Sequence, residues 1–182
     1  MLPLQEAQRI LDTAELICPA VVVSEAVRRV AGEISDKLAG QYPLVLSVMG
    51  GAVVFAGHLL TELKFPLDFD YVHVTRYGNH TSGAELNWVA MPQEIISDRV
   101  ILIVDDVLDE GITLAAIRQR MLDNGAKACY LAVLANKEIG RQKPVTADFV
   151  GISLPNRFVF GFGMDVHGAW RNLPAIYALP NK

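Results

Sequence analysis

Side chains that could bind a ligand or transfer a proton are concentrated in one short segment, DDVLDEGIT, which covers residues 105–113. Two adjacent carboxylates, Asp105 and Asp106, repel one another, and burying both without a partner would be costly. They could bind the hydroxyl groups of a ribose, or a Mg²⁺ ion that bridges to a ligand. Gly111 allows the backbone to come close to a ligand, and Thr113 offers a hydroxyl group. The segment therefore predicts a ligand-binding site in which positive charge or a hydroxyl pair meets the acids.

The flanking residues predict a strand before this segment and a helix after it. A strand is predicted at 99–105, with aliphatic residues at 100–104, and residues 113–124 have helical spacing, with Gly125 at the C-cap position. Unpaired backbone N–H groups at a helix start attract phosphate. A P-loop would need a lysine before Thr113, but Ile112 stands there, so a Walker motif is excluded. An isolated pair of strand-end aspartates is also typical of a solvated turn.

Strands and helices alternate along the rest of the chain. Further strands are predicted at 44–49, 67–77, 86–91, 129–136, 148–154, 157–163 and 175–179. Helices are predicted at 4–17, from the N-cap Ser24 to Gly40, and at 52–63. This alternation predicts right-handed βαβ units around a mostly parallel sheet, in which ligands bind beyond the carboxyl ends of the strands. We expect one domain over residues 1–182, with terminal segments contributing a small hood.

Composition excludes several classes of protein. The chain has 182 residues, of which 52% are hydrophobic and 20% charged, as in globular proteins. Its net charge of -4 argues against a nucleic-acid partner bound through a basic face. No apolar run is long enough to span a membrane and the N-terminus does not resemble a signal peptide, so we expect a cytoplasmic protein with no membrane partner. Cys18 and Cys129 are predicted to be buried free thiols.

The aliphatic strand, the acidic segment and the following helix together resemble the ribose-phosphate signature of the type I phosphoribosyltransferases. Other stretches are similar to motifs of the hypoxanthine-guanine members, in the same order: SVMGGAVVFAGHLL, RYG at 76–78, LANKEIG, PNRFVFGFGMD and WRNLP. The resemblance covers almost the entire chain from residue 20. It implies an α/β fold with a central mostly parallel sheet, flanking helices and a hood. It also implies an enzyme that uses phosphoribosyl pyrophosphate and hypoxanthine or guanine to make IMP or GMP and pyrophosphate.

The resemblance also implies roles for individual residues. Those implied to bind the phosphoribosyl group are Asp105, Asp106, Asp109, Glu110, Gly111, Ile112 and Thr113. Those implied to bind pyrophosphate are Gly50, Gly51, Arg76, Tyr77 and Arg171. Those implied to bind the purine are Lys137, Phe158, Val159 and Asp165, with Lys137 on the 6-oxo group and Phe158 stacked on the ring. Asp109 is implied to be the catalytic acceptor of the purine proton, and Asp165, Asp105 and Asp106 are implied to hold Mg²⁺.

Two residues depart from the family pattern, and several alternatives stay open. Met49 stands where many relatives have a lysine, and Arg76 stands where a small hydroxylic residue is usual. A transferase that prefers xanthine or another base would share the phosphate loop, and a non-catalytic regulator would keep the fold. A receiver-type signalling domain also carries strand-end acids, but it has no need of a diglycine loop. We expect small-molecule substrates and a homodimer or homotetramer.

Overall fold

The computed structural model describes residues 2–76 and 86–180. In chain order its elements are α1 (Leu4–Thr13), β1 (Glu15–Cys18), α2 (Ala20–Leu38), β2 (Leu44–Met49), α3 (Val53–Glu62), β3 (Asp68–Arg76), β4 (Leu86–Ala90), β5 (Val100–Leu108), α4 (Ile112–Asp123), β6 (Ala128–Glu138), β7 (Phe149–Pro155), β8 (Val159–Phe160) and β9 (Ile176–Ala178). Six strands form a central sheet in the order β4-β3-β2-β5-β6-β7, and only the β3–β4 pair is antiparallel. The predicted α/β fold is confirmed.

Alternating residues of the central strands bury side chains on both faces of this sheet. On β5, Leu102 and Val104 pack with the buried residues of α2 and α3, whereas Ile101 and Ile103 pack with those of α4. Because side chains alternate along a strand and both faces are covered by helices, the strand reads as a continuous aliphatic run. This double burial fixes β5 firmly and holds its carboxyl end, where the acidic segment begins.

A smaller antiparallel sheet of three strands, in the order β1-β9-β8, forms the hood. Ala178 on β9 pairs with Glu15 on one side and with Val159 on the other. Arg157 ties the same strands together, since its guanidinium donates to the Glu15 carboxylate at 2.6 Å and to the Leu179 carbonyl oxygen at 2.8 Å. The hood strands thus come from segments near both ends of the chain.

Three of the boundaries that differ from the sequence prediction have a clear physical reason. The first helix ends at Thr13 instead of continuing to Ile17, because residues 15–18 pair with β9. Ser24 is not an N-cap: α2 starts at Ala20, directly after Pro19, and the Ser24 hydroxyl donates to the Ala20 carbonyl oxygen. Strand β5 continues beyond Asp105 to Leu108, because its pairing with β6 continues. The two aspartates therefore lie within the strand and not in the loop after it.

Two smaller predictions concern the thiols and the membrane. Cys18 and Cys129 are both free and buried, as expected. Among residues 2–76 and 86–180, no helix is both long enough and apolar enough to cross a membrane.

Candidate active site

The carboxyl ends of β5 and β6 lie side by side and bring Asp109 next to Lys137. Leu108 pairs with Asn136 in the parallel register, so the residue after each belongs to the same edge of the sheet. The Lys137 ammonium donates to the Asp109 carboxylate at 2.6 Å. The Lys137 side chain is 11% exposed, whereas that of Asp109 is 48% exposed. A ring bound here would meet a positioned donor and an accessible acceptor.

Asp105 and Asp106 interrupt the regular alternation of β5. Each carboxylate accepts a hydrogen bond from the next backbone N–H, at 2.9 Å from Asp106 and at 2.7 Å from Val107. Val104 and Val107 both pack with the cluster that contains α2 and α3, whereas Leu108 packs with the cluster of α4. The alternation therefore changes phase at the aspartate pair, where the side chains satisfy the local backbone themselves.

The surroundings of this pair disfavour its ionised forms. Burial raises the pKa of Asp105 well above its ordinary value of 3.8, and the charge of Asp106 raises it further. Burial also raises the pKa of Asp106, although hydrogen bonds from Asp105 and Val107 and the charge of Arg171 act to lower that pKa. Both side chains are only partly accessible to solvent. A cation or a hydroxyl pair arriving at these acids would stabilise their charged forms.

The diglycine turn after β2 packs directly against Asp106. A Cβ atom added to Gly51 would overlap the Asp106 carboxylate, so a larger residue here would displace that carboxylate. Gly163, from the distant FGFG stretch, has φ of +104°, and a Cβ atom on it would overlap the carbonyl oxygen of Gly51. Three separate parts of the sequence therefore meet at one place, with two glycines that allow the close approach.

Arg171 and Asp165 complete this cluster. The Arg171 guanidinium donates to the Gly163 carbonyl oxygen at 2.6 Å and pairs with the Asp165 carboxylate at 2.6 Å. The second oxygen of Asp165 accepts from the Gly168 N–H at 2.7 Å. A guanidinium, several carboxylate oxygens and the exposed turn backbone stand together here. Such a set could hold an anion together with its divalent cation.

A small cavity of about 130 Å³ opens between the end of β5 and the start of α4. Its lining residues are Asp105, Val107, Leu108, Asp109, Glu110, Gly111, Thr113 and Leu114. Gly111 is the N-cap of α4, with φ of +81°, a conformation that favours glycine. The start of a helix and the small volume suit a single phosphate group. Ile112 is half exposed and supplies no charge, and Glu110 pairs with Arg141.

Phe158 and Val159 lie in the hood. They are not linked to the Asp109–Lys137 pair by the contacts of the described residues. Phe158 precedes β8 and is 51% exposed. Val159 is buried and pairs with Ala178. Across the described ranges, no hydrogen bond, ion pair or ring contact joins the Phe158 side chain to another predicted site residue.

The remaining predicted residues belong to the pyrophosphate set. Gly50 forms the turn after β2 beside Gly51 and has open space around its Cβ position. Arg76 is the last residue of β3. Tyr77, together with most of the loop predicted from 76 to 86, lies outside the described residues.

Sequence reasoning missed two residues of this site, Gly163 and Lys143. Gly163 belongs to a glycine-rich stretch that could have signalled a close backbone approach. Lys143 carries no such signal, since it lies in the connection between β6 and β7. Its ammonium donates to the backbone of Leu108 and Lys137. Only the fold brings these acceptors together.

The predicted Mg²⁺ ligands are compatible with a shared site, although they do not form a complete one. In the part of the chain that the structure describes, no three His, Cys, Asp or Glu side chains are arranged to hold a metal ion. Mg²⁺ usually takes one or two protein carboxylates and completes its shell with substrate phosphates and water. The oxygens of Asp105, Asp106 and Asp165 suit such partial coordination.

Comparison with known proteins gives a consistent result. The family model described as "Phosphoribosyl transferase domain" matches residues 22–167. The chain is 30% identical to hypoxanthine-guanine phosphoribosyltransferase of Bacillus subtilis, over 92% of this chain and 94% of that one. It is 29% identical to hypoxanthine-guanine-xanthine phosphoribosyltransferase of Tritrichomonas foetus, over 85% of each chain.

A crystal structure of a hypoxanthine-guanine phosphoribosyltransferase from Bacillus anthracis has a similar fold. Its TM-score is 0.84 at 27% identity, and the match covers 91% of this chain and 98% of that one. The chain therefore belongs to the phosphoribosyl transferase family, as an enzyme similar over most of its length to hypoxanthine-guanine phosphoribosyltransferases.

Proposed function

We propose that this enzyme transfers the 5-phosphoribosyl group of phosphoribosyl pyrophosphate to hypoxanthine or guanine. The observation that carries the proposal is the pair formed by Lys137 and Asp109, whose charged atoms are 2.6 Å apart beside the phosphate-sized cavity. A lysine ammonium is only a donor, so it suits the carbonyl oxygen of a 6-oxopurine. The half-exposed carboxylate of Asp109 suits the ring N–H next to it. Names and similarity of the relatives support the same substrates.

The proposed step is a displacement at the anomeric carbon. A ring nitrogen of the purine forms a bond to this carbon, and the bond to pyrophosphate breaks, with its electron pair leaving on the pyrophosphate oxygen. The proton that the purine loses passes to Asp109. Lys137 has three N–H groups, so it can keep its contact with Asp109 while donating to the 6-oxo oxygen. The carboxylates of Asp105 and Asp106 bind the ribose hydroxyls and favour positive charge on the sugar.

The leaving pyrophosphate requires compensation of its charge. Arg171 supplies one positive charge, and the backbone of Gly50 and Gly51 supplies N–H groups. A bound Mg²⁺, held by Asp165 or by the aspartate pair, would neutralise further charge on the leaving group. The 5-phosphate fits the cavity at the start of α4, where Thr113 contributes to the lining. Arg76 and Tyr77 are assigned to the pyrophosphate side by resemblance.

Selection among bases follows from the same hydrogen bonds. Adenine presents an amino group where hypoxanthine and guanine have an oxygen, so it would face Lys137 with two donors opposed. A site built around one hydrogen bond rejects a mismatched analogue strongly. Stacking on Phe158 adds affinity without this discrimination. Xanthine differs at the 2-position, and use of xanthine is the main alternative, since one relative is named for it.

An assay with phosphoribosyl pyrophosphate, Mg²⁺ and four bases tests the proposal. We expect turnover of hypoxanthine and guanine, poor use of xanthine, none of adenine, and loss of activity in excess chelator. Efficient use of adenine, or full turnover with chelator present, would contradict the assigned pocket or the metal. Binding of phosphoribosyl pyrophosphate without any turnover would favour the non-catalytic regulator.

The cellular setting of the proposed enzyme has two parts. We propose that it acts in the cytoplasm as a homodimer or homotetramer, with no nucleic-acid or membrane partner. Light scattering on the purified protein tests the oligomeric state, and a single mass near 19.9 kDa would contradict it.

A further inference from the structure

The ammonium group of Lys143 donates three hydrogen bonds to other atoms of the protein. Its Nζ atom donates to the carbonyl oxygen of Leu108 at 2.7 Å, to the side-chain oxygen of Asn136 at 2.8 Å and to the carbonyl oxygen of Lys137 at 2.6 Å. A lysine ammonium has three donors, so these three acceptors satisfy it completely. Lys143 is thus not available to a ligand as a donor, and its role must be exerted through the groups it holds.

The acceptors belong to residues that are next to, or part of, the pair proposed to contact the purine. Leu108 directly precedes Asp109, and the third acceptor is the backbone of Lys137 itself. Lys143 therefore joins the ends of β5 and β6 at the positions from which the two functional side chains project. Its Cβ atom also lies 3.5 Å from the Cβ position of Gly111, so the same residue packs against the start of the phosphate loop.

The electrostatic surroundings of Lys143 disfavour its charged form. Burial is the largest influence on the pKa of Lys143 and lowers it. The charge of Asp109 acts to raise this pKa, and that of Lys137 acts to lower it. The three acceptors stabilise the charged form of the Lys143 ammonium, although the ammonium of Lys137 is close by.

We propose that Lys143 is a positioning residue for the purine end of the site. Its ammonium holds the backbones of Leu108 and Lys137 at a fixed separation, which keeps the Asp109 carboxylate and the Lys137 ammonium in the geometry that meets the ring. The inference rests on the proposed function, because the roles of Asp109 and Lys137 come from it. It adds a residue outside the motifs, one that touches no substrate.

Replacing Lys143 with Met tests this, since Met keeps the length and apolar stem but removes the donors. We expect kcat/KM for hypoxanthine and guanine to fall about 10- to 100-fold, because small misplacements of reacting groups are costly. KM for phosphoribosyl pyrophosphate should change by less than about threefold, since the aspartate pair and Arg171 are untouched. Equal damage to both substrates would indicate a general structural role and overturn the proposal, as would unchanged use of the base.

Lys127→Met is the matched control. Lys127 is exposed and directly precedes β6, at the end of the strand opposite Lys137, and its backbone N–H donates to the Arg99 carbonyl oxygen. The same chemical change there should leave both kinetic constants unaltered. Asn136→Ala is a milder second variant that removes one of the three acceptors. It should show the same selective loss for the base, about threefold, even if Lys143→Met folds poorly.

Hydrogen exchange measured by mass spectrometry gives a readout independent of activity. In Lys143→Met, exchange should quicken in peptides covering 108–111 and 136–139, while the β2 peptide at 44–49 stays protected. Unchanged exchange at both strand ends would overturn the positioning role. If the wild type used no 6-oxopurine, the proposed function would fail in the base assay, while the exchange data would still decide whether Lys143 holds these backbones.

Discussion

Two acidic positions, one within β5 and one directly after its end, differ in how their negative charge is compensated. Asp109 is half exposed and already paired with Lys137 at 2.6 Å. Asp105 and Asp106 are only partly accessible to solvent, and burial raises the pKa of both. The charge of Arg171 lowers the pKa of Asp106, but it offsets the effect of burial only in part. One position thus carries a compensated charge in the free protein, whereas the other lacks full compensation.

The difference indicates a division of labour along the site. A carboxylate with its partner in place has a fixed geometry before the ligand arrives, which suits contact with a ring and proton transfer. A carboxylate pair that lacks a partner is stabilised by the incoming ligand, which suits binding of a sugar with its metal. We expect changes at Asp109 and Lys137 to reduce chemistry and base selection, and changes at the pair to alter stability and sugar binding.

The largest expected effect is that of Asp109→Asn. If the carboxylate accepts the purine proton, kcat should fall by about 10²- to 10⁴-fold with little change in the affinity for phosphoribosyl pyrophosphate. Single-turnover kinetics measures the chemical step directly. Asp36→Asn, at an exposed position of α2, is the control and should behave as wild type. An unaltered single-turnover rate for Asp109→Asn would restrict that residue to a structural part in the loop.

Lys137→Ala should have the next largest effect. Loss of a charged hydrogen bond to the 6-oxo oxygen should lower kcat/KM for hypoxanthine and guanine by about 10- to 100-fold. Affinity for phosphoribosyl pyrophosphate should be retained, and isothermal titration with that ligand measures it. If the variant uses both bases as well as wild type does, Lys137 does not contact the purine.

Gly51→Ala should disturb the second position through shape alone. Its methyl group would overlap the Asp106 carboxylate, so we expect KM for phosphoribosyl pyrophosphate to rise about tenfold. Gly57→Ala is the control, since nothing lies within 4 Å of the Cβ position there. Steady-state kinetics on the two variants gives the comparison. A normal KM in Gly51→Ala would mean that the turn adapts without affecting the pair.

The smallest effect should be a gain in stability. The folded-state pKa of Asp105 lies above its ordinary value of 3.8, so its contribution to stability is full below that value and is lost as pH rises through the folded pKa. Asp105→Asn removes this loss and should stabilise the free protein at pH 7, with a rise of roughly 2–4 °C in Tm for each kcal/mol gained. The gain should shrink as pH falls toward 3.8.

Thermal unfolding of both proteins across this pH range measures the difference. Asp123→Asn, at an exposed site on α4, provides the control for loss of one negative charge. The Asp105 variant should also bind phosphoribosyl pyrophosphate more weakly, so stability and binding move in opposite directions. A variant less stable than wild type at pH 7 would show that the acid is compensated in the free protein after all.

Much of the fold could be predicted because the central strands are buried on both faces. β2 was expected at 44–49 and is found there, since six consecutive apolar or small residues leave little alternative. The hood strand β1 was assigned to a helix, because residues 15–18 continue an apolar helical spacing that their distant partner β9 overrides. Local spacing carries no information about such a partner.

The site divides in the same way. The acids and Gly111 are visible in one segment, and resemblance supplied Lys137 and Arg171. The contacts of Gly163 with Gly51, and of Lys143 with three acceptors, depend on segments that only the fold assembles. Physical reasoning from sequence therefore reached the groups that meet a ligand more easily than those that hold them.

The construction of the hood has a consequence for the order of folding. β1 pairs with β9, so contacts near residue 15 wait for residues 176–178 to leave the ribosome. Such long-range pairing carries a large loop-closure cost and forms late, whereas β2, β5 and α4 can associate earlier during synthesis. Nascent chains should therefore form the phosphate cavity before they form the hood, which carries Phe158. A ribosome-bound chain stalled before β9 should therefore bind the sugar phosphate but lack the ordered Phe158 contact to the base.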